Sequence, residues 1–177
     1  TLQEGLYYYD AIARLQDAQI NQQEKEQLNI GDYIRLGALG TAMCSSQKPK
    51  VLLIDEIDKS DIDLPNDLLN IFEEGEFIIP ELMRRSKSRK SAESSQEFSQ
   101  ESPQQFTVWT QDEDKVTLNT GKVKCAAFPI IVMTSNGERD FPPAFKRRCL
   151  RVTMPDPKEA ALRLSLIHIS EPTRQLQ

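Results

Sequence analysis

The sequence predicts an α/β fold built on a mostly parallel sheet with flanking helices, and three observations predict it. Val51–Ile54 and Ile130–Met133 are continuous apolar runs, and a strand apolar at every position reads as one covered on both faces, as in a parallel sheet. Stretches of helical spacing lie before and between these runs. Residues 106–110 and 116–118 alternate like the strands of a β-hairpin inserted into that frame.

In chain order, residues 6–9 form a short aromatic run that reads as the end of a strand. Asp10 stands where a helix N-cap belongs, and Ile12, Leu15 and Ile20 continue at helical spacing, so a helix is expected over 10–22. Residues 21–29 are polar and read as a loop or frayed helix end. Between Tyr33 and Met43, Gly37, Ala38, Gly40 and Ala42 sit among apolar residues, a pattern of close packing. After Val51–Ile54, Asp63 and Pro65 open a helix whose stripe is Leu68, Leu69 and Phe72, and Gly75 stops it. Residues 77–79 read as a short strand. Residues 84–105 are first basic and then rich in serine and glutamine, too polar to offset ordering entropy, so a disordered insertion is expected there. Asn119, Thr120 and Gly121 make a turn into residues 122–126. Pro142 and Pro143 open a helical turn carrying Lys146, Arg147 and Arg148, and residues 150–154 alternate as a last strand.

The chain has 177 residues, enough for one domain. A formal net charge of −5 argues against a general nucleic-acid binder. Cys44, Cys125 and Cys149 fit no metal spacing. An odd number of cysteines with no signal peptide suggests free thiols in a reducing compartment, hence a cytoplasmic protein. No apolar run approaches the roughly 18 residues needed to span a bilayer.

The chemistry concentrates at the carboxyl ends of the two apolar runs, where open α/β sheets hold ligands. Val51–Ile54 ends in Asp55 and Glu56. The first carboxylate can hold Mg²⁺ through its water shell, and the second can polarise a water for attack on a terminal phosphate, the logic of a Walker B motif. The bland alternative is a buried strand whose acids cap a helix. Ile130–Met133 ends in Thr134, Ser135 and Asn136, and an amide there can orient the attacking water without adding charge; the alternative is an asparagine in a turn before Gly137.

The extension is more specific. Asp55-Glu56-Ile57-Asp58-Lys59-Ser60, then Leu64-Pro65-Asn66-Asp67-Leu68-Leu69, then Phe72-Glu73-Glu74-Gly75-Glu76-Phe77-Ile78-Ile79-Pro80-Glu81-Leu82 resembles the MoxR-like AAA+ ATPases. Asn136 then looks like the sensor 1 residue. The resemblance makes Arg148, with Arg147 second, the candidate arginine finger reaching the nucleotide of an adjacent subunit. The family usually shows a Leu-Asp-Arg-Phe type segment here, and Lys146-Arg147-Arg148-Cys149 departs from it, which leaves the two arginines open.

The resemblance implies an incomplete AAA+ P-loop NTPase core over residues 1–157, assembly into a homo-oligomeric ring, a hexamer in the family pattern, and Mg²⁺-dependent ATP hydrolysis coupled to remodelling of a partner protein or complex. Asp55, Glu56, Asn136 and the two arginines are its expected site, with Asp55 and Asn136 facing the nucleotide. No Gly-x-x-x-x-Gly-Lys-Ser/Thr loop occurs, so the phosphate-binding strand and the lid domain are expected to be missing, with 158–163 beginning the connection to the lid. The last strand would then lack its neighbour and the isolated chain would be marginally stable and inactive. Residues 164–174, LSLIHISEPTR, match the translation of a common transposase sequencing adapter, so 164–177 are expected to be non-native and His168 is given no role. Two other functions compete: a non-hydrolysing AAA+-derived scaffold, and a contact between basic residues 84–90 and an acidic partner or nucleic acid.

Overall fold

The computed structural model describes residues 1–20, 28–44, 48–93 and 104–155. Helix α1 (Leu2–Leu6) starts with a capping box in which Thr1 and Glu4 satisfy each other's backbone groups. It leads into β1 (Tyr7–Tyr9) and then α2 (Ala11–Ile20), where the Asp10 carboxylate accepts the Ala13 N–H at 2.8 Å, as the cap reading requires. The expected loop at 21–29 lies outside the described residues up to 27; Asn29 then caps a 3-10 turn over Ile30–Tyr33. Strand β2 (Ile34–Leu36) and helix α3 (Ala38–Ala42) follow, and of the small residues Gly40 and Ala42 are buried while Ala38 is exposed.

Strand β3 (Val51–Ile54) is followed by α4 (Leu64–Glu74), with Pro65 in its first turn and Gly75 ending it at φ +63°. Then come β4 (Glu76–Ile78), α5 (Pro80–Glu93), β5 (Gln105–Trp109), β6 (Lys115–Asn119), β7 (Lys122–Lys124), β8 (Ile130–Met133) and α6 (Pro143–Arg148).

The strands form two sheets. One has six strands in the order β1-β2-β5-β6-β7-β4; the other is the parallel pair β3-β8, with Val51 opposite Ile130 and Ile54 opposite Met133. The fold is therefore mixed α/β, and the expectation of a mostly parallel sheet is corrected: among the described residues, apart from β3/β8, only β2/β5 is parallel. The reason is local. The hairpin β5–β6 runs on through a tight turn into β7, and short turns can join only antiparallel neighbours. Ile34, Leu36, Phe106, Val108, Phe77 and Val123 point from this sheet into a core shared with Leu52, Ile57, Leu68 and Phe145.

Three further expectations change. Residues 84–93 belong to α5, with Leu82 and Ser86 buried beneath it, so the segment read as a disordered insertion begins as helix; residues 94–103 lie outside the described residues. Its residue types permit helix, and anchoring by Leu82 supplies what composition alone did not. The β3/β8 pair is covered on one face only: Leu52 is 7% exposed, whereas Leu53 is 60% exposed and Val51, Ile130 and Val132 share its open face. An apolar run does not tell single from double coverage. Residues 150–154 form no strand, and Leu150, Val152 and Met154 are exposed; extended chain without a neighbour has no ladder to satisfy its backbone. The expected lid connection and non-native tail fall within 156–177, outside the described residues.

The β6–β7 turn is closely packed against α5. Thr120 and Gly121 both have positive φ, +55° and +77°, the requirement of a two-residue hairpin turn. A Cβ on Gly121 would sit 2.5 Å from the Leu82 Cβ. Gly121→Ala is therefore expected to lower stability by about 2 kcal/mol or more, read as a lower urea midpoint at unchanged slope.

Candidate active site

The two parallel strands bring the carboxyl-end residues to one rim. Beyond Ile54 and Met133 the pairing continues: the Thr134 N–H donates to the Ile54 carbonyl and the Ile57 N–H donates to the Thr134 carbonyl, both at 3.0 Å. This lacing sets the side chains side by side. The Thr134 hydroxyl accepts the Glu56 N–H at 2.9 Å and donates to the Asp55 carboxylate. The Asn136 Nδ2 donates to Glu56 Oε1 at 3.3 Å, and Lys59 Nζ lies 2.8 Å from the same oxygen. Asp55, Glu56 and Asn136 thus share one exposed edge.

Glu56 holds its place at a cost. Its φ is +50°, in the left-handed region that a side chain disfavours by roughly 1–2 kcal/mol. The strain persists because the Thr134 hydroxyl on one side and the 3-10 turn Ile57–Lys59 on the other fix both neighbours. Strained backbone of this kind concentrates at functional sites.

Sequence reading missed four members of the arrangement. Thr134 bridges Asp55 and Glu56. Lys59 sits on the Glu56 carboxylate as an exposed ion pair, a contact that contributes little to stability. Arg139 donates to the carbonyls of Ser60, Ile57 and Asp61, tying the loop after β8 to the turn after β3. Asp58 is 5% exposed, and its Oδ2 accepts the N–H groups of Asn136 at 3.1 Å and Glu138 at 3.0 Å. In sequence Asp58 stands within the Asp55–Ser60 segment of the resemblance, two residues after Glu56 and behind the apolar Ile57, with nothing to mark it as buried; nothing in a polar turn marks Arg139 as a clamp.

Burial works against the charged form of Asp58. The N–H groups of Glu138, Asp58 itself and Asn136, with the Ser135 hydroxyl, outweigh it and hold the carboxyl below the ordinary aspartate range. The unfolded chain then binds more protons than the native one, so this contribution to stability is complete above the ordinary aspartate range. It is lost as the pH falls through the lowered native value. The urea midpoint of the wild type should accordingly fall more steeply on acidification than that of Asp58→Asn. Parallel slopes would remove Asp58 from the acid response.

The arginines lie elsewhere. Helix α6 packs against α4, and the Arg148 guanidinium pairs with Glu73 of α4 and donates to the Ala144 carbonyl at 3.2 Å. Arg147 is exposed. Among the described residues no hydrogen bond or ion pair joins either arginine to Asp55, Glu56 or Asn136. No cluster of three or more His, Cys, Asp or Glu side chains suited to a metal ion occurs among the described residues. Asp55 alone suits only an ion that takes its other ligands from water and substrate, the habit of Mg²⁺. Cys44, Cys125 and Cys149 are free thiols, and no described helix is long and apolar enough to cross a membrane. No family model, curated protein or solved structure matches the chain.

Proposed function

We propose that the rim of β3 and β8 is the hydrolytic half of a cytoplasmic AAA+ ATPase site of the MoxR-like kind, whose phosphate-binding loop is supplied from outside these residues. The observation that carries the reading is the shared edge on which Asn136 touches the Glu56 carboxylate while Thr134 holds Asp55 beside it. Glu56 would take the proton of a water attacking the terminal phosphate of ATP, Asn136 would orient that water, and Asp55 would hold hydrated Mg²⁺. The ion would supply charge neutralisation at the phosphates. Hydrolysis would drive remodelling of a partner protein by a homo-oligomeric ring, most simply a hexamer, in which Arg148 or Arg147 of one subunit serves the next.

The exposure of the edge supports this over a helix-capping role for the acids. Neither Asp55 nor Glu56 accepts a bond from the first turn of α4, whose N-cap Asp63 makes no side-chain cap. A non-hydrolysing scaffold has no use for a strained glutamate held against an asparagine. The test is phosphate release from ATP by the complete gene product, expected to require Mg²⁺ and to depend on Glu56. Nucleotide binding without turnover would favour the scaffold.

A further inference from the structure

We infer that Asp58 is a positioning residue: its buried carboxylate, by gripping the backbone of Asn136 and Glu138, sets the Asn136 side chain against Glu56. Three observations carry this. The strand-to-strand bonding that aligns β3 with β8 stops at Thr134, two residues short of Asn136, so the ladder does not itself fix the asparagine. What holds the Asn136 N–H is Asp58 Oδ2 at 3.1 Å, and the same oxygen takes the Glu138 N–H at 3.0 Å. Between them Gly137 has φ +77° and its own N–H bonds the Ser135 hydroxyl. The segment thus curls around the carboxylate as backbone amides curl around a bound anion.

The arrangement is also deliberate in its chemistry. Asp58 is buried, its Oδ1 has no partner, and no cation pairs with it among the described residues. Such a group is tolerated where charge-assisted bonds to N–H donors compensate for lost hydration. Asp58 lies two residues from Glu56 along the chain, within the turn that holds Glu56 in its left-handed conformation. Asp58 therefore links the two partners of the Asn136–Glu56 contact: its backbone belongs to the turn that follows Glu56, and its carboxylate grips the loop that carries Asn136. Asp58 need not meet substrate; it acts through Asn136.

The consequence for turnover rests on the ATPase reading; the geometric claim does not. In the complete gene product, Asp58→Ala is expected to lower kcat about 100-fold with KM nearly unchanged, and Asp58→Asn, which keeps an acceptor without the charge, to fall between. NMR amide exchange supplies the second readout. Asn136 and Glu138 lose protection in Asp58→Ala and a smaller part of it in Asp58→Asn, while the N–H groups of Ile130, Ile57 and Thr134, bonded within the ladder, keep theirs and report an intact fold. Wild-type kcat in Asp58→Ala, a loss confined to KM, or unchanged exchange at Asn136 and Glu138 would each overturn the inference. Should Asp58→Ala not fold, Asp58→Asn decides by the same two readouts. Absence of ATP turnover in the wild type would defeat the functional reading instead, and the exchange pattern would still decide whether Asp58 holds the loop.

Discussion

Glu56→Gln is expected to lower ATP turnover by the complete gene product about 1,000-fold or more while leaving ATP binding intact, the size of effect that loss of a positioned general base produces. The glutamine Oε1 can still accept from Asn136 and Lys59, which both meet Glu56 Oε1 in the native rim. The shape of the edge therefore survives and only the capacity to take a proton is lost. Phosphate release measured beside equilibrium nucleotide binding separates the two. Turnover equal to wild type removes Glu56 from the chemistry; loss of binding together with turnover makes its role one of architecture.

Arg148→Ala should be nearly as severe, about 1,000-fold, the contribution of an arginine that spreads over transferring phosphoryl oxygens. The structure gives this prediction a particular form. Arg148 is paired within its own chain to Glu73, so service to a neighbour's nucleotide requires it to leave or share that carboxylate. Mixing Arg148→Ala subunits with Glu56→Gln subunits should then restore part of the activity that each lacks alone, because some interfaces combine an intact arginine with an intact glutamate. No recovery on mixing would place the arginine in its own subunit's site or outside any site. A larger loss in Arg147→Ala than in Arg148→Ala would exchange their assignments.

The parts of this molecule that were legible in the sequence are those decided by local chemistry. Asp10, Pro65 and Gly75 mark helix ends because capping and φ preferences act within a few residues. Val51–Ile54 and Ile130–Met133 were readable as strands for the same reason, and the placing of Asp55, Glu56 and Asn136 together follows once those strands pair in parallel. What was not legible depends on distant partners. The six-stranded sheet arises from pairings such as β4 with β7 and β2 with β5, which no periodicity encodes. The bare face carrying Leu53 and Val132 looks, in sequence, the same as the covered face carrying Leu52. Residues 150–154 alternate as a strand should, yet alternation without a neighbour does not make one. Asp58 reads as one more acid in a charged turn, and only the path of the chain after Met133, eighty residues away in order, makes it a buried clamp.

In the proposed mechanism Glu56 and Asn136 jointly address a water poised at the terminal phosphate of ATP. A structure of the complete gene product with Mg²⁺ and a non-hydrolysable ATP analogue tests it most directly. The terminal phosphate is expected beside the β3/β8 rim, with one water in hydrogen-bond reach of both the Glu56 carboxylate and the Asn136 amide, and Asp55 facing the hydrated ion. A nucleotide seated away from that rim, or one whose terminal phosphate is flanked by neither side chain, would contradict it.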